Sequence, residues 1–416
     1  MRTLKLTLEG FIMFYVGIDV AKEKHYVCIL DDRGDYAVKP FWIYTDILGL
    51  RRLIEKLANL SLDNDDFIIG VESTGAYSEN IYEYITDSDY EVVLLNSYQT
   101  AKFRDFRTIK KIKNDTIDAY VIAELLSTGK YKQSHISNDA YHSLKILGRS
   151  KRSLMEKMKT IKREISTVMA TVNPEIAKFF PNIFTKTALV VINQYPTATH
   201  LCKATPKKLT RLFRHIKGNN FSEDKAQYLI DLAQTSIYAG RAHKARASTI
   251  TSYIRILELY CQEIKEVELQ IKQLIVEEID TLGNTVENLQ TILGVSDKTI
   301  SAILGECGDL RRFDSAKAFI GYLGLYLTQY QSGNSNSVGR LAKRGIPIAK
   351  HALYMAAVGS ILHNPQLNKI FRDKVSYGKS KKEALIIIAK KIAAIMYSIV
   401  KHNKPHEAHR VFIPNR

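Results

Sequence analysis

The stretch FYVGIDVAKEKHYVCILDDRGDYAVKPFWIYT, residues 14–45, decides the fold of the first part of this chain. Two apolar runs, FYVGIDVA and HYVCILDD, flank a charged KEK turn, and KPFWIYT follows a turn at RGDY. Short runs rich in β-branched and aromatic residues, punctuated by turn residues, read as strands. Three in quick succession read as an antiparallel meander. Downstream, DILGLRRLIEKLANL (46–60) places Leu50, Leu53, Ile54 and Leu57 at helical spacing. DFIIGVE (66–72) is a continuous apolar run, the mark of a strand buried on both faces. AYSENIYEYITDS (76–88) reads as a helix and YEVVLLN (90–96) as a further strand.

The order β-β-β-α-β-α-β-α is that of a ribonuclease H-like α/β fold. From about residue 140 the strand signals nearly vanish. SLKILGRSKRSLMEKMKTIKREISTVMATV predicts a long basic helix, and a less regular stretch follows over 180–222. Across 246–279, Ile250, Leu257, Ile264 and Ile271 recur every seven residues, with Tyr253, Tyr260, Val267 and Leu274 three positions later. That seam predicts a coiled-coil arm or hairpin. A helix inside an intramolecular bundle produces nearly the same stripe. LQTILGVSDKTISAILGE (289–306) reads as helix, glycine turn, helix, and GYLGLYLTQYQSGNSNSVGRLAKRG (321–345) as an irregular polar loop. Two further helices precede an unstructured tail. The expected divisions are an α/β domain at 13–135, a helical coiled-coil arm and linker at 140–286, a mostly helical domain at 287–402 and a tail at 403–416.

The chain of 416 residues is long enough for several cores, and it carries a net charge of +17. Residues 1–100 hold 9 Lys/Arg and 17 Asp/Glu, whereas residues 101–416 hold 51 and 26. The basic excess therefore lies wholly in the later part, and it points to a polyanionic partner, nucleic acid above all. No run approaches the roughly 18 apolar residues of a membrane span. Cys28, Cys202, Cys261 and Cys307 are scattered without CxxC spacing, which suits a reducing cytoplasm and not a zinc or disulfide framework.

Asp19, in VGIDVAK, and Glu72, in IIGVESTG, interrupt runs that otherwise read as core. A carboxylate there is costly unless it is paired or binds a metal. Asp115 and Asp118 sit i, i+3 at a helix start, with Asn114 as the expected N-cap. Oxygen ligands of this kind suit Mg²⁺, with Mn²⁺ as the alternative, and not zinc. Two such ions about 3.5–4 Å apart serve phosphodiester cleavage. Taken singly, a DxxD is a cap and a solvated face, Asp19 a turn residue and Glu72 half of an ion pair. The GID sequence also admits an actin-like ATPase, which requires further glycine-rich phosphate loops; only ESTGAY is a candidate here.

GIDVAK, GVESTGAY, KNDTIDAYVIAEL, LQTILGVSDKTISAILGE, GYLGLYLTQYQSGNSNSVGRLAKRG and YGKSKKEALIIIAKKI together resemble the IS110/IS1111-type insertion-sequence transposases. The likeness covers about 14–130 and 287–400, in the same order. It implies a RuvC-like DEDD domain whose four acids are Asp19, Glu72, Asp115 and Asp118. It implies a serine nucleophile in a Ser-Gly motif, here Ser332. It further implies a structured bridge RNA pairing with donor and target DNA. The family's active site joins two subunits, and its helical arms build dimers and tetramers. Ser335 and Ser337 are rival nucleophiles by position. Arg340, Lys343 and Arg344 follow Ser332 closely and are expected to hold DNA phosphate, as are Lys110, Lys111 and Lys113 beside the acids. Two features depart from the family: Leu327 stands where Pro is expected, and the section at about 180–245 is longer. Two other readings stand beside this one: a RuvC-like nuclease using carboxylates and water alone, and a basic RNA-binding protein without activity.

Overall fold

Strands β1 (Phe14–Asp19), β2 (Lys24–Leu30) and β3 (Tyr36–Tyr44) form the expected meander, with β2 antiparallel to both neighbours. The computed structural model describes residues 13–407 apart from 74, 76, 108–114, 217, 219, 220, 333 and 334, and omits the side chains of 279 and 327–340. The chain divides into two compact units, Met1–Ile136 and Ser137–Arg416.

In the first unit, helix α1 (Ile47–Ala58) leads to β4 (Phe67–Glu72), α2 (Tyr77–Asp87), β5 (Val92–Leu95), α3 (Ser97–Arg107) and α4 (Asp115–Ser127). The sheet order is β3-β2-β1-β4-β5, with β4 parallel to both β1 and β5. The two faces separate by the strand period of two. Val16, Ile18, Ile69 and Val71 pack with Leu53 and Leu57 of α1 and Ile81 and Ile85 of α2. The opposite face meets α4: Ala119 and Ala123 pack with Cys28 and Leu30, and Ile122 and Leu126 with Val93 and Leu95. β1 and β4 are covered on both faces, which is why their sequences are apolar without alternation.

Gly17 and Gly70 are register partners on β1 and β4, and both face α4. A Cβ on Gly17 would lie 2.1 Å from the Ala119 carbonyl oxygen and 2.5 Å from the Ala123 nitrogen. A Cβ on Gly70 would lie 2.8 Å from Leu126 Cδ1. The two glycines thus form a notch into which α4 settles, its backbone over Gly17 and its Ile122 and Leu126 side chains over Gly70.

The second unit opens with two long helices, α5 (Asp139–Val172) and, after five short ones, α11 (His243–Glu277), which pack along each other. The short helices are α6 (Ile176–Phe179), α7 (Lys186–Gln194), α8 (Ala198–Leu201), α9 (Pro206–Arg214) and α10 (Glu223–Gln234). The stretch expected to be less regular is therefore helical in short pieces. Thr185, Thr197 and Thr205 each accept a backbone N–H as N-cap, and Pro206 stands at the first turn of α9. These helices close a core of their own with Ile165 and Met169 of α5 and Ile250, Ile254 and Leu257 of α11. The other ends of the long pair, through Leu144, Val267 and Ile271, join the core of the later helices. These are α12 (Asn284–Gln290), α13 (Asp297–Cys307), α14 (Ala316–Leu323), α15 (Pro347–His363), α16 (Pro365–Ser376) and α17 (Lys381–His402). Within the predicted seam of α11, Ile250, Leu257, Val267 and Ile271 are buried.

One expectation is overturned. The segment expected to be an irregular loop is a two-stranded hairpin, β6 (Leu327–Ser332) and β7 (Ser335–Leu341), paired antiparallel from Leu327↔Leu341 to Ser332↔Ser335. Residues 333 and 334 lie outside the described residues, and Leu327, Thr328, Tyr330 and Val338 are β-compatible residue types. Among the described residues no helix is long and apolar enough to cross a membrane.

The notch sets a clear test. Gly17→Ala is expected to destabilise the α/β unit by about 3 kcal/mol, because backbone and not a flexible side chain must give way. Gly148→Ala, in open space within α5, is expected to stabilise by up to about 1 kcal/mol. Urea titrations followed by far-UV circular dichroism read both; a Gly17→Ala midpoint equal to that of the unchanged chain would refute the notch.

Candidate active site

Asp19 and Glu72 end β1 and β4, each two residues beyond a glycine of the notch. Strand side chains repeat every two residues, so both carboxylates share the face that carries Gly17 and Gly70, the face covered by α4. Both are half-buried. The sheet register then makes them neighbours: Ile18 pairs with Val71, immediately before the two acids.

α4 contributes the third carboxylate. Ala119 rests on Gly17, and Asp118, the residue before it, is 7% exposed. A buried carboxylate needs a compensating charge. Arg104 of α3 supplies it, donating through Nη1 to Asp118 Oδ1. The guanidinium also lies in the field of Glu72, and its pKa is raised above the ordinary value, mainly by the Asp118 hydrogen bond. Thr100, one helical turn before Arg104, donates from Oγ1 to Glu72 Oε2 at 2.7 Å. One turn further, Arg107 pairs with Glu124 at 2.7 Å and stacks its guanidinium on Tyr120 at 4.4 Å. The face of α3 at 100, 104 and 107 therefore ties the acids of β4 and α4 together.

Asp115, in the first turn of α4, is exposed, where the positive end of the helix favours a carboxylate. Its expected cap, Asn114, and Lys110, Lys111 and Lys113 lie outside the described residues. The loop after Asp19 is held by His25: the Ala21 N–H donates to Nδ1 at 3.3 Å, so the ring proton belongs on Nε2. His25 is 1% exposed, and burial lowers its pKa.

The donor set is all carboxylate oxygen, the chemistry of a hard divalent cation. Among the described residues no three His, Cys, Asp or Glu side chains already stand within reach of one ion. Arg104 accounts for part of this, since it holds the carboxylate that a cation would take. The residues fit the group by donor type and by shared face.

Ser332 belongs to the second unit, as the last paired residue of β6 beside the hairpin turn. The base of its hairpin is closed by two glycines in left-handed conformation, Gly324 (φ 74°) and Gly345 (φ 99°). A Cβ on Gly324 would fall 1.9 Å from the Arg344 carbonyl oxygen, and one on Gly345 would fall 2.2 Å from the Leu323 carbonyl oxygen. Lys350 staples the neck, donating from Nζ to the carbonyls of Arg344 at 2.7 Å and Ala342 at 3.1 Å. Leu327, the departure from the family's Pro, begins the paired strand. Lys343 and Arg344 are exposed at the hairpin base, and Arg340 lies on β7.

Sequence reasoning missed Thr100, Arg104, His25 and Lys350. The i, i+4, i+7 spacing of Thr100, Arg104 and Arg107 was the available signal for the first two. Nothing local marks His25 or Lys350, whose roles depend on partners in other elements.

Residues 16–174 match the family model of DEDD transposases of the IS110 type, and residues 286–372 match that of the IS116/IS110/IS902 transposase family. A mini-circle transposase assigned to IS117 of Streptomyces coelicolor is 21% identical over 416 residues, 98% of either chain. The pilin gene-inverting protein of Moraxella bovis is 31% identical over 153 residues, 36% of this chain and 46% of that protein. That of Moraxella lacunata is 33% identical over 124 residues, 29% of this chain and 38% of that protein. With both family models matched in order across the acid-bearing sheet and the later helical segment, the chain belongs to the IS110-type transposase family.

Proposed function

We propose that this chain is an RNA-guided DNA recombinase of an insertion sequence, with a RuvC-like carboxylate site and a serine nucleophile. The observation that carries the proposal is the shared face of Asp19, Glu72 and Asp118, set by the seating of α4 on Gly17 and Gly70. The strand order β3-β2-β1-β4-β5 supports the ribonuclease H-like reading of the first unit. The long α5/α11 pair supports a coiled-coil arm that joins subunits into dimers and tetramers. Four free cysteines suit action in the cytoplasm.

In this reading Asp19, Glu72, Asp115 and Asp118 hold Mg²⁺, or Mn²⁺. Bound there, the ions supply positive charge to the scissile phosphate and its leaving oxygen. Arg104 neutralises Asp118 while the carboxylates are free, and Thr100 holds Glu72 in orientation. Ser332 Oγ loses its proton and bonds to phosphorus while one deoxyribose oxygen leaves and takes up a proton. The hydroxyl of a partner strand reverses the exchange, so phosphodiester bond energy is conserved without ATP. Lys343 and Arg344 at the hairpin base, with Arg340, bind the backbone phosphates. Lys110, Lys111 and Lys113, which precede Asp115 in the sequence, are assigned the same role. A structured bridge RNA pairs with donor and target DNA. The inversion named for the Moraxella relatives, a cut-and-rejoin reaction, suits the same chemistry.

Two outcomes test the proposal. Ser332→Ala is expected to abolish strand joining and the covalent protein–DNA adduct seen on denaturing gels, with nucleic-acid affinity unchanged. Normal joining by that variant would remove the nucleophile; cleaved ends without any adduct in the unchanged chain would favour a water-dependent nuclease. Mg²⁺ or Mn²⁺ is expected to raise the melting temperature of the α/β unit, and Arg104→Ala to respond at lower metal concentration because its guanidinium no longer competes. Asp118→Asn is expected to lose most of the response. Equal metal-dependent shifts in all three proteins would separate Asp118 from the metal site.

A further inference from the structure

Between Ile176 and Ser222 the chain contains eight Lys/Arg and no Asp or Glu. This segment forms α6 to α9 and lies between the two stretches that match the transposase family models, 16–174 and 286–372. It is a folded lobe and not a loose insertion. Phe179, Phe180, Phe213 and Phe221 stack or meet edge to face at its centre, over the ends of α5 and α11. Along α11 the buried residues of this core end at Leu257 and those of the core around the later helices begin at Val267, about 15 Å further along the helix.

α9, with the sequence PKKLTRLFR, shows what the lobe is shaped for. Leu209 and Phe213 are fully buried and anchor the helix. Lys207, Lys208, Arg211 and Arg214 are all exposed along the other side. None of them takes part in an ion pair with a described residue. Lys178, Lys186 and Lys203 are exposed on the same lobe.

This placement works against the helix itself. Lys207 and Lys208 occupy the first turn, where the dipole disfavours a cation by about 0.3–1 kcal/mol each. Lys207 with Arg211, Lys208 with Arg211, and Arg211 with Arg214 are like-charged pairs at i, i+4 or i, i+3, each unfavourable by a few tenths of a kcal/mol. Solubility needs no such arrangement, since mixed charge gives it without the repulsion. A local rule broken without local compensation marks a functional surface.

We propose that the lobe built from α6–α9 is a nucleic-acid backbone-binding surface, formed by residues other than those of the carboxylate site and the serine hairpin, with Lys207, Lys208, Arg211 and Arg214 contacting successive phosphates. A helix face of this kind neutralises phosphates without reading bases, so it adds affinity and register and not sequence choice. The lobe thereby extends the nucleic-acid footprint to the end of the α5/α11 pair remote from the later helices.

The test is binding by the full chain, read as fluorescence anisotropy of a short duplex DNA and, in parallel, a folded RNA hairpin, across roughly 50–200 mM salt. The triple variant Lys207→Gln, Arg211→Gln, Arg214→Gln keeps exposed helix-compatible side chains, and its melting temperature is expected to match the unchanged chain. Its log–log salt slope is expected to be shallower by about 2–3, with at least a tenfold loss of affinity at the low-salt end, for DNA, RNA or both. The arm that responds identifies the ligand. Charge reversal at the same three positions should deepen the loss. Slopes and affinities unchanged for both nucleic acids would overturn the proposal while leaving the recombinase reading intact. An unchanged chain that binds neither would overturn both.

Discussion

The first unit depends on one contact: a helix lying close against two strands at a point where neither strand carries a side chain. Gly17 and Gly70 are paired across β1 and β4, and α4 settles over them, with its backbone where a Gly17 Cβ would stand and the Ile122 and Leu126 side chains where a Gly70 Cβ would stand. Three consequences follow from that approach. The sheet face is sealed by Ala119, Ala123 and Ile122 in place of larger residues. The carboxylates two residues beyond each glycine point to the helix side. Asp118, adjacent to the contact residue Ala119, is drawn down among buried atoms. Without the notch, Asp118 of α4 would not be seated on the face that Asp19 and Glu72 share.

Bringing acids together raises a charge problem, and α3 answers it. Arg104 bonds to the buried Asp118 and senses Glu72, while Thr100 donates to Glu72. An isolated carboxylate at that depth would cost several kcal/mol. The guanidinium is thus a placeholder for positive charge at a site whose donors suit a hard cation. The serine-bearing hairpin meets a different constraint, that of closing a narrow base. Gly324 and Gly345 permit a backbone crossing closed to any other residue, and Lys350 caps the carbonyls left there.

Much of this was legible before any coordinates. The meander, the buried strand, the long basic helix and the heptad seam all follow from local periodicity, which the backbone obeys within a few residues. Asp19 and Glu72 stood out because a charge in an apolar run is costly. The hairpin at 327–341 reads as a loop from sequence because the polar, Gly/Ser/Asn-rich composition of the stretch outweighs its few β-compatible residues. The short helices of the basic lobe are hard to read for a similar reason: each is under three turns, and only α7, α8 and α9 carry a Thr cap to declare them.

By itself, the sequence determined the succession of strands and helices, the sign and position of the charge, and the candidate acids, since these depend on residue type and near-neighbour spacing. The tertiary structure alone decided that Gly17 and Gly70 are partners, that Asp118 is buried, that Arg104 and Thr100 serve the acids, and that Lys350 closes the hairpin. Each joins residues in different elements. The Thr100–Glu72 bond spans 28 positions, and the Gly70–Leu126 contact spans 56. Local periodicity says which face of an element is apolar; which element covers that face is settled only by packing, where a single missing Cβ admits one neighbour and excludes others.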